Sequence, residues 1–101
     1  MTYKTQFPDF DSEVPEFVGF KDTSWHNDVC PSFYLDLGDD KGLRVWVDYA
    51  DKTRREYSAP DSKRFVLDLM EEDEYIKMII QTDNLEVLYN TINDYRANIT
   101  R

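Results

Sequence analysis

At 101 residues, with a net charge of -9 and a single cysteine, the chain is sized for one domain around one core and has no second cysteine with which to close an internal disulfide. An excess of 21 Asp and Glu over 12 Lys and Arg argues against a protein that binds nucleic acid by neutralising phosphates, and favours a basic protein as partner. The 15% aromatic content supplies bulky core material and argues for a folded chain.

No segment approaches the run of about 18 apolar residues needed to span a bilayer, and the start Met-Thr-Tyr-Lys-Thr-Gln-Phe-Pro lacks the apolar run of a signal peptide. With one cysteine, this places the expectation at a reducing cytoplasm with no membrane contact.

Residues 1–31 hold Pro8, Pro15 and Pro31 and show no sustained period, so an irregular arm is expected, with at most a short strand near Phe17 to Phe20. Tyr3, Phe7, Phe10, Phe17, Phe20 and Trp25 recur too often for a solvated tail. The arm is expected to lie across the domain and cover apolar surface.

Residues 32–81 read as antiparallel strands. Phe33, Leu35 and Leu37 alternate with Tyr34 and Asp36, and the stretch from Gly38 to Gly42 then turns the chain back. The clearest strand runs from Leu43 to Tyr49: Leu43, Val45, Val47 and Tyr49 fall on one face, and Arg44, Trp46 and Asp48 on the other. Trp46 is a large apolar side chain on the face whose neighbours are charged, so whether the arm covers it bears directly on function.

Ala50-Asp51-Lys52 reads as a turn, and Thr53 to Ser58 as a short, highly charged strand suited to a sheet edge. Phe65 to Met70 forms another strand. Glu71, Glu72, Asp73 and Glu74 make a solvated turn, followed by Tyr75 to Gln81. This last segment is read as a strand because Ile76, Met78 and Ile80 alternate with polar or aromatic positions, although Ile79 breaks the pattern and a helix is the competing reading.

Residues 83–99 carry a helical period. Asp83-Asn84-Leu85-Glu86 fits an Asx-type N-cap with Glu86 three residues after Asp83, and Leu85, Leu88, Ile92, Tyr95 and Ile99 follow at spacings of three and four. Burying those five side chains would contribute ~10 kcal/mol before entropy is subtracted. The fold expected is therefore α+β: one small domain, an antiparallel sheet of four to five strands in a hairpin meander, and one C-terminal helix on one face.

Motifs that carry chemistry are sparse. His26, Asp28 and Cys30 fall two apart and would share a face if extended, which opens a reading as a metal site or a small enzyme. The spacing matches no structural zinc pattern, and nothing points to a lowered thiol pKa. Glycines at 19, 38 and 42 make no phosphate loop. No catalytic residue, metal ligand or cofactor is therefore assigned.

Charge distribution says more than its total. Residues 1–40 hold nine acids and two bases, residues 41–64 four acids and seven bases, and residues 65–101 eight acids and three bases. Bases concentrate on the middle strands. Tyr34, Arg44, Trp46, Asp48, Arg54, Arg55 and Tyr57 are the protein-binding candidates, of a composition typical of interface hot spots, and Glu71, Glu72, Asp73 and Glu74 are the acidic surface candidates.

Three functional classes follow. The first is a non-enzymatic binding protein of inhibitor or immunity type that masks a basic, nucleic-acid-handling partner. The second is an adaptor using the Trp and Arg face or an edge strand, with homodimerisation through that edge included. The third is an enzyme or metal protein built on His26 to Cys30.

Overall fold

The computed structural model describes residues 2–11, 13–51, 53 and 63–99. Its centre is a five-stranded antiparallel sheet in which every strand pairs with its sequence neighbour, the order of a simple meander. The strands are β1 (Lys21–Asp22), β2 (Ser32–Gly38), β3 (Lys41–Val47), β4 (Phe65–Glu71) and β5 (Glu74–Thr82). A four-residue turn of helix, α1 (Tyr3–Gln6), precedes them, and α2 (Leu85–Ile99) follows.

Alternation decides what each face holds. Phe33, Val45, Leu67 and Ile80 stand opposite one another across β2 to β5, as do Leu35, Leu43, Leu69 and Lys77, and these rows form the core face. Leu43, Val45, Val47 and Leu67 have no measurable exposure. α2 rests its apolar stripe there, with Leu88 and Ile92 buried and Leu85, Tyr89 and Tyr95 packed at the margin.

The N-terminal arm shares this face with α2. Phe17 packs against Phe33 at 5.5 Å and Tyr89 at 6.0 Å between ring centroids, and Tyr3 stands edge-on to Phe33. Tyr89 donates its hydroxyl to the Glu16 carbonyl and Arg96 donates to the Val18 carbonyl, so α2 clamps the arm as well as the sheet. Phe10 lies on Tyr49 at 4.9 Å.

Three local details differ from the expectation, and a fourth expected element falls largely outside the described residues. β3 starts at Lys41 and ends at Val47, so Asp48 and Tyr49 lie beyond it; Asp48 still donates its N–H to the Arg64 carbonyl at 2.7 Å. The short strand of the arm falls at Lys21–Asp22, just after Phe20. β3 pairs with β4 along its length, so no strand stands between them, and the edge strand read at Thr53 to Ser58 falls, apart from Thr53, outside the described residues. The helix cap is Asn84, whose Oδ1 accepts from the Val87 N–H at 3.2 Å, while Asp83 accepts the Arg64 N–H.

The irregular position of Ile79 has a structural cause. Leu67 pairs with Ile80 but Asp68 with Met78, so Ile79 is the extra residue of a bulge, and a second shift leaves Ile76 unmatched between Leu69 and Met70. Each bulge moves the alternation by one position, which is why the strand does not read cleanly in sequence.

Both tight hairpins bend through acids. Asp39 and Asp40 join β2 to β3, and Glu72 and Asp73 join β4 to β5, with φ between 52° and 65° at all four. Positive φ at both central residues is the mark of a type I′ turn, which matches the twist of the flanking strands.

Candidate functional site: the sheet face opposite the helix

Three cross-strand rows make up the second face. Ser32, Trp46, Val66 and Gln81 form the first; Lys21, Tyr34, Arg44, Asp68 and Met78 the second; Asp36, Gly42, Met70 and Tyr75 the third. The arm aromatics and α2 pack on the core side, so this face keeps Tyr75 at 60% and Met78 at 45% exposure, with Tyr34, Arg44, Trp46 and Val66 partly exposed.

Arg44 is its centre. The guanidinium carbon lies 5.5 Å from the Tyr34 ring centroid and 5.8 Å from that of Trp46, within cation–π range of both. Nε is buried with no hydrogen-bond partner. Asp68 stands directly opposite on β4 and accepts the Trp46 indole N–H at 3.0 Å.

Asp68 is 8% exposed. Burial pushes its carboxyl above the ordinary range, and the Trp46 hydrogen bond and the Arg44 charge only partly pull it back. The face thus holds a cation within reach of two rings and a carboxyl group fixed by an indole, both costly to bury and both kept.

Gly42 is needed beneath Tyr34. A Cβ built there would run into the Tyr34 hydroxyl and the ring carbon that bears it, so the end of the tyrosine ring rests over the Gly42 backbone. Its hydroxyl is pushed to a higher pKa, first by burial and then by the charges of Asp73 and Asp36.

Next to Tyr34 the two hairpin ends approach each other: the Glu72 N–H donates to the Asp40 carbonyl at 2.7 Å. Between them lies an acidic cleft of about 360 Å³, lined by Tyr34, Asp36, Gly38, Asp39, Asp40, Glu72 and Asp73. Glu71 and Glu74 close the ends of β4 and β5 beside it, and both are exposed. Asp36, Asp39 and Asp40 belong to this acidic rim although the four-acid run alone drew attention in sequence; hairpin pairing brings them in, and their position in or just before the turn read at Gly38 to Gly42 was the available signal.

Of the sequence-derived candidates, Tyr34, Arg44 and Trp46 come together, and Asp48 sits past the end of β3. Arg54, Arg55 and Tyr57 lie outside the described residues. His26 to Cys30 is not extended: residues 26–30 form turns and bends, His26 is exposed with Nδ1 2.9 Å from Gln6 Oε1, and Cys30 is buried. The shared face on which a His26, Asp28 and Cys30 site depended is therefore not formed. Among the described residues, no helix is long and apolar enough to cross a membrane.

The fold and site define a small α+β domain with one sheet face committed to its core and the other presenting an aromatic and arginine cluster beside an acidic rim. No protein-family model, no curated protein and no solved structure matches this chain.

Proposed function

We propose that this protein is a non-enzymatic binding protein whose Tyr34, Arg44 and Trp46 face receives a basic protein partner, in the manner of an inhibitor or immunity protein that masks a phosphate-handling surface. The observation that carries the reading is the cluster of Tyr34, Trp46 and Arg44 on a partly exposed sheet face, bordered by the acids of the two hairpin ends. Trp, Tyr and Arg are the residues most often found at the energetic centre of protein interfaces. The acids of the hairpin ends supply the complementary field that would steer a basic protein to that centre and disfavour acidic ones.

The test is parallel capture from lysate with wild type, Trp46→Ala and Arg44→Ala, each checked for folding by circular dichroism. A basic partner should be retained by wild type and released by added salt, and each variant should weaken it by ~2 kcal/mol or more, about thirtyfold. Partners held equally by wild type and both variants would remove this face as the binding site.

A further inference from the structure

We infer that β5 is a docking edge for an extended, basic segment of a partner protein, which adds to the sheet as a sixth, antiparallel strand with its lysines or arginines toward its C-terminal end. The inference rests on the binding-protein reading and specifies its mode.

In the described sheet, β5 pairs with β4 alone and has nine residues. Tyr75, Ile76 and Met78 are 60%, 47% and 45% exposed along it, in a segment with no proline. Such an edge offers main-chain donors and acceptors next to apolar side chains, the two components of strand addition.

Charge selects the occupant. β5 begins at Glu74, directly after Glu72 and Asp73, while its far end leads to Thr82 and the Lys63 to Asp83 ion pair at 3.9 Å. With Lys77 the one base on β5 itself, the field is therefore negative at the Glu74 end of the edge and close to balanced at the other. An antiparallel strand places its C-terminal end beside Glu74, so basic residues are favoured there. A second copy paired antiparallel would set its own near-neutral Thr82 end beside Glu74 and so offer no bases there, and the net charge of -9 opposes bringing two copies together.

The probe is a synthetic peptide of about ten residues, alternating valine and threonine with lysines at its C-terminal end. A second peptide has the lysines at its N-terminal end, and a third is the first N-methylated at alternate backbone nitrogens. Binding is followed by amide chemical shifts and hydrogen exchange of the whole protein. The expected result is protection of β5 amides by the first peptide, about tenfold weaker binding of the second, and loss of binding by the third. Glu74→Lys should weaken the first peptide, and Ile76→Asp, at an exposed position, should abolish it while the protein stays folded.

Three results would overturn the inference: equal binding of the N-methylated peptide, no change at β5 with any peptide, or sedimentation showing a dimer that shields β5. Shifts confined to Tyr34, Arg44 and Trp46 would exclude edge addition yet leave the binding-protein reading standing. That reading fails separately, if capture is indifferent to Trp46→Ala and Arg44→Ala.

Discussion

Asp68 shows how one residue can shape the pH response of a face. Its carboxyl is raised because burial outweighs the Trp46 hydrogen bond and the Arg44 charge. A carboxyl raised by folding holds its proton more tightly in the native state than in the unfolded one. Its stabilising contribution is therefore fully present in acid below the ordinary carboxylate value, and is lost as pH rises through the raised value. Asp68→Asn keeps an oxygen for the Trp46 indole and removes the charge. Urea unfolding should show the variant matching wild type below about pH 4 and exceeding it at pH 7. A less stable variant at pH 7 would mean that the Arg44 attraction outweighs desolvation after all.

Elements are held mainly by what they bury, and α2 makes the case. Leu88 is wholly buried against the core face, and Asn84 caps the first turn. Leu88→Asp would place an unpaired charge in the buried cluster that also holds Val45, Leu67 and Phe17, and is expected to unfold the domain; an unchanged melting temperature would refute the packing. Asn84→Ala should cost only about 1 kcal/mol, because it removes one cap bond and leaves the stripe in place; chemical denaturation distinguishes the two.

The elements also show how sequence and fold relate. The alternation of β3 was legible because both faces repeat at a period of two over consecutive residues. β5 was only partly legible, because its two bulges shift the period inside the strand. The cap was misplaced by one residue for a different reason: Asp83 and Asn84 are equivalent acceptors locally, and the Arg64 N–H takes Asp83 from across the chain.

At the scale of the molecule, the acids that define the candidate rim are expected to repel one another in the free protein. Asp39, Asp40, Glu72 and Asp73 crowd two adjacent turns in a chain of net charge -9. Raising the salt from about 0.01 M to about 1 M shortens the screening length from ~30 Å to ~3 Å and should raise the melting temperature of the isolated protein by a few degrees. The same salt should weaken its complex with a basic partner. Opposite signs in the two measurements are the expected outcome; no rise in melting temperature would show that the acids do not repel appreciably.

The sequence by itself determined the fold class, the composition of the core face, the amphipathic stripe of α2 and the sign of the surface, because periodicity and charge are properties of neighbouring residues. Tertiary structure decided the rest. That the arm lies on the core side beside α2 and leaves Trp46 on the opposite face, that Asp68 receives the Trp46 indole N–H from 22 residues away, and that β5 ends the sheet all depend on pairing between distant segments. Such pairing is set by the closing of long loops and the burial of whole faces, and no local pattern encodes it.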